Sequence, residues 1–164
     1  MTDLSILRYP DPRLSQVCRT IEVFDAALAA FTEELLRTMR NAPGVGITAA
    51  HVGVLQRLVV LELGPGKPLI YVNPHILSSS AETLRHVEGS VSMPGVTEEV
   101  ERPAAIRFGY QNLAGNPQEA DAQGFHAVCV QHEIDQLDEI FWLMRLSRLK
   151  PDRLIRKWQK RNGG

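Results

Sequence analysis

The sequence predicts an α+β fold in which short, mostly antiparallel strands pack around one central buried helix, with further helices toward the N- and C-terminal ends. Three observations carry this expectation. Leu28, Phe31, Leu35 and Met39 recur at spacings of three and four, the period of an amphipathic helix. Beyond them, from about residue 58 to 122, short apolar runs are separated by Gly, Pro, Ser and Asn clusters, the pattern of strands and turns. Between Gly124 and Leu137 the apolar residues Phe125, Ala127, Val128, Cys129, Val130, Ile134 and Leu137 surround the helix instead of forming a stripe, as in a helix buried on most sides.

In chain order, Asp25 is a plausible N-cap for a helix over residues 25 to 40, and Pro43 to Gly46 breaks it. The run Leu58 to Leu63 reads as a strand, Gly64 to Gly66 as its turn, and Leu69 to Val72 as the strand that returns. Further turns are expected at Ser78 to Ser80, Pro94 to Gly95 and Asn112 to Pro117. After the buried helix, Asp152 to Arg161 reads as a last helix with Leu154, Ile155 and Trp158 inward and its basic residues outward. There is no internal repeat, low-complexity segment or linker, so residues 1 to 164 are expected to form one domain.

Composition narrows the function classes. The 164 residues are 44% hydrophobic and 23% charged, as in ordinary globular domains, and a chain of this size buries roughly 70% of its unfolded surface. Cys18 and Cys129 form no CxxC pair, so neither a disulfide framework nor a zinc knuckle is expected, and a reducing cytoplasm is the expected compartment. Asp3, Arg8 and Asp11 leave no room for a secretory signal, and no run of about 18 apolar residues suggests a membrane span. A net charge of −1 argues against a protein built globally to grip nucleic acid. The charge is uneven, however: Arg145 to Arg161 holds eight Lys or Arg against the single acid Asp152. That segment is either a solvated helix face or a docking surface for an acidic partner.

The buried helix carries His132, Glu133 and Gln136. Residues 132 and 136 are one turn apart, the spacing of a helical HExxH metal site in which two histidines hold an ion and the glutamate acts as base on its water. HExxQ alone is weak evidence. Two other stretches strengthen it: Gly44-Val45-Gly46-Ile47-Thr48-Ala49-Ala50-His51 and Glu88-Gly89-Ser90-Val91-Ser92. With Gln131-His132-Glu133-Ile134-Asp135-Gln136-Leu137, in this order and spacing, they resemble the signature motifs of the peptide deformylases, GΦGΦAAxQ, EGCΦS and QHExDHLxG, where Φ is apolar. Tyr9-Pro10-Asp11-Pro12-Arg13-Leu14 and Glu101-Arg102-Pro103 extend the resemblance along the chain.

The resemblance implies the peptide deformylase fold and a metal-dependent hydrolase, usually ferrous in bacteria, that removes formyl from the N-formylmethionine of nascent chains. It implies His132 as a metal ligand and Glu133 as general acid/base, with Gly44, Gly46, Gly89, Gln131 and Asp135 as framework. The family's ligating cysteine falls at Ser90, its second histidine at Gln136, its carbonyl-polarising glutamine at His51 and its closing glycine at Glu139. By the same resemblance Val45, His86, Phe125, Val128 and Cys129, with Gly44, Gly46, Gly89 and Val91, form the substrate slot, and Glu88 and Arg102 match a buttressing pair. Their bland alternative is a surface ion pair of little worth.

A serine hydroxyl and a glutamine amide are uncharged donors where the family has a soft anionic thiolate and an imidazole. The expectation is therefore a degenerate metal site, no resident cofactor (or, if one is held, a divalent iron, nickel or zinc), poor deformylation, and retained binding of formylmethionyl or methionyl peptide N-termini. The alternative is an active metal-dependent deformylase. For the polar trio itself three arrangements stand open: Ser90, His132 and Gln136 hydrogen-bonded to one another or to a water, Ser90 as nucleophile with His132 as base, or His51 turned inward to join His132 and Glu133 around a metal. The basic C-terminal helix resembles in position the one by which some bacterial deformylases contact the ribosome, so ribosomes are an expected partner, and membranes and specific DNA are not.

Overall fold

The computed structural model describes residues 4–147 and 149–162. Helix α1 (Ala26–Asn41) starts where Asp25 caps it, the Asp25 side chain accepting the Leu28 N–H at 3.0 Å. Such a cap stabilises a helix by about 1 kcal/mol. The helix buries Leu28, Leu35, Leu36 and Met39. Strands β1 (Gly46–Thr48), β2 (Leu58–Glu62), β3 (Pro68–Ser79), β4 (Thr83–Gly89), β5 (Thr97–Pro103), β6 (Ala105–Gln111) and β7 (Pro117–Gln123) follow. All described pairings between them are antiparallel: β1, β2, β3, β6 and β7 form one sheet in that order, and β4 with β5 a second.

β3 runs well past the Leu69 to Val72 stretch that its apolar run suggests. Its second half is irregular and largely exposed, which removes the hydrophobic alternation that would have marked it. At the irregularity Asn73 takes φ +52°, accepts the Ile21 N–H at 2.8 Å and donates to the Ile21 carbonyl at 2.9 Å.

Helix α2 (Gly124–Leu137) packs against both sheets, with contacts to β1, β7 and β5. Ten of its residues are buried, including the polar Gln131, Glu133, Asp135 and Gln136. Helix α3 (Lys150–Arg161) begins two residues before Asp152, because Pro151 is tolerated in a first turn where its missing N–H is not needed. Leu154 and Trp158 are buried and the Trp158 indole donates to the Tyr9 carbonyl at 2.9 Å, which ties α3 to the N-terminal segment. Arg148 lies outside the described residues. Cys18 and Cys129 are buried free thiols, pushed up by burial to about 11 and about 12. No helix among the described residues is long and apolar enough to cross a membrane.

Candidate active site

A cleft of about 370 Å³ opens between the segment leading into β1 and the connection from β4 to β5, with α2 as its floor. Gly44, Val45, Gly46, Gly89, Ser90, Val91, Phe125, Val128, Cys129, His132 and Glu133 all line it. The glycines let the walls approach. A Cβ on Gly46 would lie 2.7 Å from Leu61 Cδ2 and 3.3 Å from Glu133 Oε2, and one on Gly44 would lie 2.8 Å from Val91 Cγ1. His86 does not line the cleft: its ring lies tilted by 36° against Phe125 with centroids 4.8 Å apart, while its Nδ1 lies 2.9 Å from the Val87 carbonyl. His51 and Gln136 are also buried behind the lining.

The support behind His132 is complete. Its Nδ1 lies 2.7 Å from Glu88 Oε1, and Glu88 receives Arg102 Nε at 2.5 Å and Nη2 at 2.8 Å. Arg102 also donates to Asp135 Oδ2 at 2.8 Å, and Asp135 receives Nε and Nη2 of Arg145 at 2.8 and 2.7 Å. Burial works against the Glu88 carboxylate, but the hydrogen bonds and charges of His132 and Arg102 outweigh it and hold Glu88 down at about 2. Glu88 is therefore an acceptor, Nδ1 of His132 carries the proton between them, and Nε2 is the nitrogen left for the cleft. Burial lowers the His132 pKa, yet the Glu88 hydrogen bond and the Glu133 and Glu88 charges leave it raised overall. Glu88 and Arg102 are 6% and 3% exposed, which overturns the surface-pair alternative. Arg145, read from sequence as part of the basic tail, instead closes this buried network.

The inner positions are arranged differently. Ser90 Oγ accepts the Ser92 N–H at 3.1 Å, and Gln136 Nε2 donates to the Leu14 carbonyl at 2.6 Å. No hydrogen bond among the described residues joins Ser90, His132 and Gln136 directly to one another; Ser90 and Gln136 have separate backbone partners instead. Nor is Ser90 paired with His132, as a nucleophile and its base would be. His51 does turn inward, 1% exposed, but among the described residues no group of three His, Cys, Asp or Glu side chains is placed to hold a metal, so the third arrangement is not formed either.

Instead, His51 Nδ1 accepts the backbone N–H of Thr48 at 2.9 Å, with the Thr48 hydroxyl 3.0 Å away. Burial and the nearby His132 charge drive His51 down to about 3, so the ring is neutral and its proton is on Nε2. That Nε2 is buried and has no hydrogen-bond partner. Glu133 is 3% exposed, and burial pushes it up to about 7 against the opposing pull of His132. Its Oε1 lies 3.7 Å from His132 Nε2, while Oε2 is buried and unpartnered. The cleft thus presents the Glu133 carboxyl beside apolar walls, with the neutral His51 imidazole buried behind the lining.

The polypeptide deformylase family model matches residues 3–152. The chain belongs to the peptide deformylase family. A "Peptide deformylase-like" protein of Agrobacterium fabrum is 61% identical over 155 residues, 94% of each chain. A "Peptide deformylase" of Rhizobium meliloti is 40% identical over 164 residues, covering 98% of this chain and 94% of that one. Among solved structures, a peptide deformylase from Legionella pneumophila superposes with a TM-score of 0.93 at 32% identity, over 99% of this chain and 96% of that one. The deformylase motifs therefore sit on a deformylase fold. Glu139, where the family motif closes with glycine, takes φ +66°, the left-handed conformation that glycine adopts without strain.

Proposed function

We propose that this chain binds peptide N-termini in the cleft and is not an efficient deformylase. The observation that carries the proposal is the state of the two altered ligand positions: Ser90 and Gln136 are uncharged, and each is engaged with backbone, at Ser92 and Leu14. Of the three positions only His132 retains a nitrogen ligand on a supported imidazole. This donor set does not fit a divalent catalytic metal. Loss of one supporting partner around a metal already costs about 10- to 100-fold in affinity, and here two direct ligands differ. Without a metal, water keeps a pKa of about 15.7 instead of about 7, and a single buried carboxyl does not replace that activation.

What supports retained binding is the rest of the cleft. Val45, Val87, Phe125, Val128 and Cys129 offer an apolar slot for a first side chain. β1 lies at one edge of its sheet and its lead-in residues line the cleft, so an extended peptide has a strand edge to lie along. The test uses protein purified anaerobically with iron present, assayed for both binding and turnover of formyl-Met and Met peptides. Peptide affinity without turnover supports the proposal. Turnover with bound iron, nickel or zinc supports the active deformylase instead.

A further inference from the structure

We infer that Arg161 latches one wall of the cleft, so that the end of α3 sets how firmly a bound peptide end is held. The consequence for peptides rests on the proposed function, whereas the latch itself does not. The wall is the connection from β4 to β5, of which Ser90, Val91, Met93, Pro94, Gly95 and Val96 line the cleft.

The hold of the protein on this wall is uneven. Met93 and Val96 are buried in one apolar cluster with Leu154 and Trp158 of α3. Between them Pro94 and Gly95 are exposed. The Val96 N–H reaches the Met93 carbonyl only at 3.4 Å, beyond the usual hydrogen-bond range. Burial therefore fixes the two ends of this turn and leaves its tip to another contact. Earlier in the wall, α3 acts through Tyr9: the Trp158 indole donates to the Tyr9 carbonyl, and the Tyr9 N–H donates to the Ser92 carbonyl, each at 2.9 Å.

Arg161 supplies the contact at the tip. Its Nη1 donates to the Gly95 carbonyl at 3.0 Å. Leu154, Trp158 and Arg161 follow one another at spacings of four and three and so share one helix face. The inward stripe of α3 thus ends in a guanidinium laid on the turn. The fit is close: a Cβ on Gly95 would lie 2.5 Å from Arg161 Nη1 and 2.8 Å from its Cζ and Nη2, and Gly95 takes φ +83°. Glycine alone meets both demands. A charged donor makes a stronger hydrogen bond than a neutral one, and its acceptor here is a backbone oxygen of the cleft wall itself. Lys160, one residue earlier, is also exposed and makes no hydrogen bond or ion pair among the described residues, which makes it the control.

Hydrogen-exchange mass spectrometry of the full chain compares wild type, Arg161→Ala and Lys160→Ala, with thermal melting and titration with Met-Ala-Gly alongside. Arg161→Ala alone should quicken exchange at residues 93 to 97 by at least about threefold. It should weaken peptide binding by about three- to tenfold, while exchange in α2 is unchanged and the melting temperature falls by less than about 2 °C. Exchange in the turn that is the same for both variants would overturn the latch. So would faster exchange throughout the chain with a large fall in melting temperature, which marks general destabilisation. A loosened turn with unchanged peptide affinity would overturn its control of the cleft. If wild type binds no peptide, the proposed function fails, and exchange in the turn still decides the latch.

Discussion

Two regions of the site, a few ångströms apart, have been treated in opposite ways. The Glu88, Arg102, Asp135 and Arg145 network behind His132 is complete, each charge facing a partner at 2.5 to 2.8 Å. At the centre, Ser90 and Gln136 are bonded to backbone, and Glu133 and His51 each keep one buried atom unpartnered. The difference separates what the fold needs from what chemistry needs. The network joins β4, β5 and α2 to the segment before α3, so its loss would be felt as instability. Of the central residues only Gln136 ties distant elements, α2 to the Leu14 carbonyl, and the fold is kept with Ser90 and Gln136 at the family's ligand positions.

The largest expected effect is on the network. Arg102→Ala leaves two buried carboxylates short of their counter-charge and should destabilise the protein by about 3 to 5 kcal/mol, whereas Ser90→Ala should change stability by less than about 1 kcal/mol. Urea unfolding of both measures the contrast, and equal losses would erase the distinction between the regions.

The two regions should also lean in opposite directions with pH. Glu88 is depressed from 4.5 to about 2, so it contributes stability that is present above its unfolded pKa and lost as pH falls toward 2. Glu133 is raised from 4.5 to about 7, so the folded state holds its proton more tightly and stability declines as pH rises through that interval. Glu133→Gln removes the second effect. It should stabilise the protein by roughly 1 to 3 kcal/mol at pH 8 and by little at pH 4. Thermal unfolding at the two pH values checks this; a gain that is the same at both would contradict it.

Much of this was legible in the sequence and part of it was not. The bounds of α2 follow from an apolar pattern that closes on all sides, and the cap at Asp25 is a local signal. The His132 support is not local: Glu88 is 44 residues away in the chain and the Leu14 carbonyl that takes Gln136 is 122 residues away. No spacing rule reaches those partners. Arg145 looked like part of a basic tail because its acid, Asp135, lies on the neighbouring helix. Nothing local in the sequence marks His51 as buried; its hydrogen bond from the Thr48 N–H accompanies its inward position.

Smaller effects sharpen the boundary between fold and chemistry. Relief of the left-handed backbone at Glu139 by Glu139→Gly should stabilise the protein by up to about 1 kcal/mol, the strain saved exceeding the added flexibility of the unfolded chain. Calorimetric melting measures it, and a lower melting temperature would contradict it. The smallest effect lies outside both regions. Arg153, Arg156, Lys157 and Lys160 are exposed on α3, and we propose that they give weak, salt-sensitive binding to ribosomes. Since Leu154 and Trp158 of the same helix are buried, truncation would damage the core, and charge reversal at Arg153, Arg156 and Lys157 is the better test. Equal pelleting of wild type and variant with ribosomes at low salt would reject the contact.

The proposed function requires a deformylase framework that remains intact around altered ligand positions. Metal stoichiometry and formyl-Met-peptide turnover, measured side by side on wild type and on Ser90→Cys with Gln136→His, test it most directly. The double variant restores a thiolate and a second imidazole beside the supported His132, with Glu133 in place as base. It should bind about one equivalent of iron, nickel or zinc and gain turnover, while wild type shows neither. Metal and turnover in the wild type, or a folded double variant that binds no metal, would contradict it.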